Sequence, residues 1–271
     1  MANKIIEKSK NHLQSVIKGC YRAVRPASSE KSILVAGVQR SGTNMVMDIL
    51  DNCISTDVYH EIDSRAFDNY QMKSLPEILE LKNNSSSYYF VIKTLCELQR
   101  IESIITALDD VRVVWVYRHY HDVVNSMLVS FNNQASQVNR IVKYRNSDGW
   151  LSEFMTDQTY EVLCKHAKNR DLNDASAAAL QWYFRNVIFF EKHLYKDDRV
   201  YLLKYENLVR NPENEIKRLY RFTGIEEEFA FKKKIYSSSI RKSKPVELDE
   251  DIERLCSGLY EQLEFYADPK K

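Results

Sequence analysis

The stretch KSILVAGVQRSGTNMVMDIL, residues Lys31 to Leu50, combines three local signals that together make an anion site. Ile33 to Ala36 is an apolar run that reads as a buried strand. Gly37 to Gly42 reads as a turn, and Thr43 to Leu50 has the apolar spacing of a helix start. Where a strand, a glycine-bounded turn and a helix N-terminus follow one another, backbone N–H groups converge and the helix dipole favours negative charge. Gly37 and Gly42 keep the spacing of the phosphate-binding pattern G-x-x-x-x-G-K-[ST], but Thr43 stands where the lysine belongs and the cation lies inside the turn at Arg40. The loop is expected to bind an anion by a different arrangement from that used for ATP.

Working outward, the chain of 271 residues, 44% of them hydrophobic, is long enough for one large core, and no Pro/Gly/Ser-rich linker divides it. Six glycines and five prolines imply few turns and long helices. Alternation of strand and helix patterns predicts an α/β fold in three layers, with a central, mostly parallel sheet flanked by helices. The formal charge of +1 argues against a broad nucleic-acid surface. The five cysteines, Cys20, Cys53, Cys96, Cys164 and Cys256, are scattered and never form a C-x-x-C pair, so neither a disulfide framework nor a zinc knuckle is expected. Reduced thiols fit a cytoplasmic protein.

No run approaches the ~18 to 20 apolar residues that a membrane span requires, and the N-terminus lacks the apolar region of a signal peptide. Within residues 1–30, Met1 to Arg25 reads as a basic amphipathic helix. Ile5, Ile6, Leu13, Val16, Ile17 and Cys20 fall near one face, with Lys4, Lys8, Lys10, Lys18, Arg22 and Arg25 around it. Two readings stand: peripheral contact with an anionic inner membrane face, or a helix packed on the domain of residues 31–271 with its lysine face in water.

Three further apolar runs resemble buried strands ending in cations: Tyr88 to Ile92 before Lys93, Val111 to Tyr117 before Arg118, and Val200 to Leu203 before Lys204 and Tyr205. In open parallel sheets ligands bind beyond the carboxyl ends of strands, so these residues are expected on one edge with the Arg40 loop. A nucleoside triphosphatase holds Mg²⁺ with an acid at such a strand end. Here Arg118 stands there, and an arginine binds phosphate rather than metal. Asp122 and Ser126 follow at helical spacing and share a face with it.

These motifs carry a resemblance. VQRSGTNMV is similar to the 5′-phosphosulfate loop, P-K-S-G-T-T-W, of sulfotransferases that use 3′-phosphoadenosine-5′-phosphosulfate (PAPS). YRHYHDVVNSM resembles that family's 3′-phosphate segment, R-x-x-x-D-x-x-x-S, and LLKYENLVRNPENEIKRLYRFTGI resembles its later Y-E-D-L strand, N-P-E helix and F-L-G-I. The motifs are separated by about 80 and then about 90 residues, as in the family. The resemblance implies a P-loop-like sulfotransferase fold. It implies Arg40, Ser41, Gly42, Thr43 and Asn44 on the 5′-phosphosulfate, Arg118 and Ser126 on the 3′-phosphate, and Tyr205 near the adenine. YSSSIRKSK resembles the loop that closes over the nucleotide, which adds Ser238 and Arg241, although the family's glycines and tryptophan are absent there. Sulfotransfer by this route requires no metal.

Sulfuryl transfer needs a base for the acceptor's proton, cations for charge on the bridging oxygen, and in-line positioning. Arg40 is placed for the leaving phosphate. Lys93 matches the lysine of the family's K-T-H segment, which meets the sulfuryl oxygens. Leu95 stands where cytosolic small-molecule enzymes keep a catalytic histidine, and a leucine takes no proton. DVYHEIDSRAF offers a replacement after a short strand at Val58 and Tyr59. Carbohydrate and tyrosyl-protein sulfotransferases use a glutamate in a comparable region, which makes Glu61 the first candidate base and His60 the second. The other reading of Glu61 is a salt-bridge partner that orients Arg40 or Lys93. The pattern implies transfer to a hydroxyl of a carbohydrate or glycoconjugate, a glycan or glycolipid. A P-loop kinase or GTPase relative and an inactive nucleotide-binding scaffold are the alternatives.

The remaining features read as structural. His119 and His121 lack the neighbours of a metal site. Trp115 and Trp182 sit in core patterns, and Trp150 is either packed or free to stack on a sugar. Residues 132–174 match no motif and have the character of an acceptor-binding insertion. Ala175 to Tyr195 and Leu248 to Tyr266 read as core helices. Oligomeric state has no signature in the sequence.

Overall fold

The computed structural model describes residues 2–25, 28–226 and 246–267, with side chains from residue 13 onward. Its centre is a five-stranded sheet in the order β2-β5-β1-β6-β7, every neighbouring pair parallel. The strands are β1 (Lys31–Gly37), β2 (Thr56–Tyr59), β5 (Tyr89–Thr94), β6 (Val111–Tyr117) and β7 (Val200–Lys204), while β3 (Phe67–Asp68) and β4 (Gln71–Met72) form a separate antiparallel hairpin. The α/β fold with a central parallel sheet is as expected.

Helices cover both faces. They are α1 (Ala2–Ala23), α2 (Thr43–Asp51), α3 (Leu75–Asn83), α4 (Ile101–Ala107), α5 (Tyr120–Ser130), α6 (Gln134–Lys143), α7 (Asp157–Ala167), α8 (Asp174–Asn186), α9 (Ile188–Glu191), α10 (Tyr205–Arg210), α11 (Pro212–Thr223) and α12 (Glu250–Ala267). Alternation along the strands divides the core in two, because successive side chains leave a strand on opposite sides. Ile33, Val35, Val91, Val114, Val116 and Leu203 meet α2, α10 and α11. Leu34, Ala36, Ile92, Val113, Trp115 and Tyr117 meet α4, α5, α8 and α12. A sheet buried on both faces explains why its strands read as unbroken apolar runs.

Element ends differ slightly from the sequence expectation. Lys93 and Thr94 lie inside β5 rather than after it, and the long helix expected from Ala175 is broken at Val187 into α8 and α9. The larger difference is in α1. Lys18, expected in water, is 6% exposed and pairs with Asp51 at 2.7 Å, and Arg22 pairs with Asp57 at 2.9 Å. Leu13 and Val16 are exposed. The described part of the helix thus docks through its cations, a pairing between distant parts of the chain that periodicity along the helix does not report.

The order of the strands fixes where a ligand can enter. After β1 the chain builds β2 and β5 on one side of it, then β6 and β7 on the other. The connections diverge at the carboxyl ends of β1 and β6, the position at which open α/β sheets bind their ligands.

Candidate active site

The loop between β1 and α2 is shaped by two glycines that no other residue can replace without displacement. Gly37 has φ 140°, and a Cβ on it would overlap the Val116 carbonyl oxygen of β6. Gly42 has φ 101°, and a Cβ there would overlap the Tyr205 ring. Both backbones approach their neighbours this closely because no side chain intervenes. Between them Arg40 adopts a left-handed φ of 68°, and the Ser41 N–H donates to the Val38 carbonyl at 3.1 Å to close the turn. Among the described residues no side chain caps α2, and no acid stands in its first turn, which leaves that N-terminus open to an anion. The buried Ser41 hydroxyl has no hydrogen-bond partner among the described residues.

Residues from four elements converge on this loop. Arg40 Nε donates to Ser126 Oγ of α5 at 2.9 Å. Arg118 Nη1 donates to the Arg40 carbonyl at 3.4 Å, Arg118 Nη2 lies 3.6 Å from Asp122, and the guanidinium stacks 4.6 Å from the Tyr205 ring centroid. Tyr205, the first residue of α10, in turn lies over Gly42. Trp182 Nε1 donates to the Arg118 carbonyl at 3.1 Å, so the strand-end turn is fixed from behind by α8. Arg40, Gly42, Arg118, Ser126 and Tyr205 form one connected cluster, as the motifs implied.

A second cluster stands at the ends of β2 and β5. Val35 and Val91 face α2, and Lys93 follows Val91 at the strand period, so its side chain points the same way. Its ammonium, 2% exposed, donates to Asn44 Oδ1 at 2.6 Å and Glu61 Oε1 at 2.6 Å. Burial lowers the Lys93 pKa and Glu61 opposes that; the nearby Arg40 charge pushes it down further. Glu61 Oε2 is enclosed without a hydrogen-bond partner among the described residues. Asn44, implied at the 5′-phosphosulfate, spends its side-chain oxygen on Lys93 instead. His60 is half-buried and accepts the Asp63 N–H through its carbonyl at 2.8 Å; no hydrogen bond joins it to the Lys93–Glu61 pair among the described residues. Ser238 and Arg241 lie outside the described residues.

Sequence reasoning missed two charged residues beside this cluster. Arg185 of α8, 2% exposed, donates to the Leu95 carbonyl at 2.7 Å and the Trp150 carbonyl at 3.3 Å, and burial pulls its pKa down to about 10. It also stacks on Trp150 at 5.1 Å and lines a narrow cleft with Val38, Gln39, Leu95 and Trp150. Glu97, 2% exposed, accepts the Met72 N–H at 2.7 Å, and burial raises its pKa. Arg185 is a charge inside an otherwise apolar helix pattern, which is the signal that was available; Glu97, followed by Gln99 and Arg100, had none.

His119 and His121 serve the frame. His119 caps α5 by accepting the His121 N–H, and its pKa is lowered by burial. His121 Nε2 lies 3.1 Å from Glu253. Among the described residues no group of three or more His, Cys, Asp and Glu side chains is arranged to hold a metal ion.

Residues 30–254 match the family model of the sulfotransferase domain. The chain belongs to the sulfotransferase family. It is therefore read as a sulfotransferase enzyme, and this family generally draws its sulfuryl group from PAPS. Among solved structures, a sulfotransferase domain from the curacin biosynthetic pathway is 13% identical, aligns over 86% of this chain and 98% of its own, and has a TM-score of 0.51. A sulfotransferase domain from a Synechococcus olefin synthase is 13% identical over 87% of this chain and 97% of its own, with a TM-score of 0.47. A sulfotransferase from Alicyclobacillus acidocaldarius is 13% identical over 88% of this chain and 94% of its own, with a TM-score of 0.47. At such identities the first of these likenesses speaks to the fold alone. No curated protein matches the chain.

Proposed function

We propose that this sulfotransferase moves a sulfuryl group from PAPS to a hydroxyl of a carbohydrate or glycoconjugate, with Glu61 as base. The observation that carries the reading is Glu61, held through Oε1 by Lys93 at 2.6 Å while Oε2 has no hydrogen-bond partner among the described residues. A carboxylate oxygen kept out of bulk water and left unpaired is costly unless a proton donor arrives there. An acceptor hydroxyl is such a donor.

The residues around Arg40 fit the donor. The Ser41 hydroxyl lacks a partner among the described residues and the Gly42 cradle admits no Cβ, so an anion oxygen can approach the loop N–H groups closely. When bound, PAPS supplies the group transferred and a bisphosphate leaving group. Arg40, Ser41, Gly42 and Thr43 would hold its 5′ end, Arg118 and Ser126 the 3′-phosphate, and Tyr205 the adenine side. An ammonium has three donors. Lys93 gives two to Asn44 and Glu61, and the third is assigned to the sulfuryl oxygens. Glu61 Oε2 takes the acceptor's proton as the acceptor oxygen bonds to sulfur and the bond to the bridging phosphate oxygen breaks; Arg40 balances the charge released there.

The finer assignments stand with this proposal. Residues 132–174, which include α6 and α7, are assigned to the acceptor side because Trp150 joins the cleft beside Leu95. Residues 31–271 form one sulfotransferase domain in this reading. Free cysteines support a cytoplasmic location, and the exposed Leu13 and Val16 of α1 support peripheral membrane contact. The test is transfer of labelled sulfuryl from PAPS to a panel of acidic glycans, neutral glycans, phenols and peptides. Labelled glycan is expected. Label on phenols or tyrosyl peptides alone would remove the carbohydrate assignment.

A further inference from the structure

A cavity of about 170 Å³ has Glu97 in its lining. Lys73, Arg100 and Ser103 surround it together with the apolar Met72 and Ile104. The Glu97 carboxyl is 2% exposed; Oε1 is used by Met72, and Oε2 has no hydrogen-bond partner among the described residues. Arg100 and Ser103 are exposed and Lys73 is half-exposed, and neither cation forms an ion pair among the described residues.

The cavity is joined to the proposed acceptor side by short stretches of chain. Glu97 lies four residues beyond Lys93, and the Lys73 N–H closes the β3–β4 hairpin by donating to the Ala66 carbonyl at 2.9 Å, five residues after Glu61. We propose that this cavity is a second acceptor subsite, holding an acidic sugar unit next to the one that is sulfated. The proposal rests on the glycan reading above and names the acceptor's charge.

The lining selects that chemistry by exclusion. A small inorganic anion would satisfy Lys73 and Arg100 but would leave the apolar wall of Met72 and Ile104 uncovered. An amine would suit Glu97 and meet two cations at the rim. A pyranose bearing a carboxylate or sulfate resolves both, with a ring hydroxyl on Glu97 Oε2 and the acidic substituent at Lys73 and Arg100. Met72 and Ile104 offer an apolar wall to the ring's C–H face. Burial favours the protonated form of Glu97, and a hydroxyl can pair with either form. The volume corresponds to about five or six waters at ~30 Å³ each, the scale of one sugar ring rather than of a nucleotide.

The test is titration of the full chain with glucuronate and with glucose by saturation-transfer NMR, alongside calorimetry with 3′-phosphoadenosine-5′-phosphate (PAP). Two variants are compared: Lys73→Ala with Arg100→Ala, which removes the rim charge, and Ser103→Tyr, which keeps the charge and blocks the cavity. Saturable glucuronate binding is expected, weakened about tenfold or more in both variants and for glucose, with PAP affinity unchanged. Absence of glucuronate binding in protein that binds PAP, or undiminished binding in either variant, would overturn the subsite. Failure to bind PAP while glucuronate still binds would instead sink the donor assignment and leave the subsite standing.

Discussion

The two sides of the cleft are built by different means. On the side proposed for the donor the backbone sets the shape: Gly37, Arg40 and Gly42 all have positive φ, and Arg118 and Tyr205 close over the turn they make. On the side proposed for the acceptor one ion pair does the positioning, Lys93 with Glu61, and Glu61 Oε2 has no hydrogen-bond partner among the described residues. A backbone-built site is tied to a fixed spacing of residue types and so to a fixed donor. A site built on one ion pair can accept different neighbours. Substitutions should therefore separate cleanly, donor-side changes acting on nucleotide affinity and acceptor-side changes on turnover.

The largest expected effect is that of Gly42→Ala. The new Cβ meets the Tyr205 ring at a φ that disfavours any side chain, so PAP affinity measured by calorimetry should fall by more than ~100-fold. Near-normal binding in a variant with an unchanged melting curve would break the claim that backbone shape makes the donor site. Arg118→Ala removes the charge behind Arg40 and should weaken PAP about 30-fold, the loss of ~2 kcal/mol expected for a charge-assisted hydrogen bond. An effect on turnover without one on PAP affinity would place Arg118 on the wrong side of the comparison. Ser126→Ala removes the Oγ that Arg40 Nε donates to at 2.9 Å. It should weaken PAP only about fivefold, in keeping with ~1 kcal/mol for one hydrogen bond. A larger loss would show that Ser126 positions Arg40 as well as touching the ligand.

How much of this was legible in the sequence follows the same division. Val111–Tyr117 was read to the residue, because β-branched and aromatic side chains buried on both faces leave an unbroken apolar run. The Arg40 turn and its link to Arg118 were legible because chain spacing and strand ends fix them. The Lys93–Glu61 pair was anticipated as one of two readings of Glu61, but the part played by Asn44 was not. Helix patterns hid Arg185, which enters the core on an apolar face and finds carbonyls rather than carboxylates. Periodicity also misled at α1, where Lys18 and Arg22 pair with Asp51 and Asp57 far along the chain. Pairings between distant residues have no local signature, and the Lys93–Glu61–Asn44 cluster is made of them.

The most direct test is Glu61→Gln, measured in one preparation for PAP affinity and for sulfuryl transfer. The substitution keeps the shape and a hydrogen bond to Lys93 while removing the proton-accepting charge. The account predicts PAP affinity within about twofold of the parent and turnover lower by roughly 10² to 10⁴, the usual contribution of a general base. Unchanged turnover would contradict it and return Glu61 to the role of an ion-pair partner for Lys93.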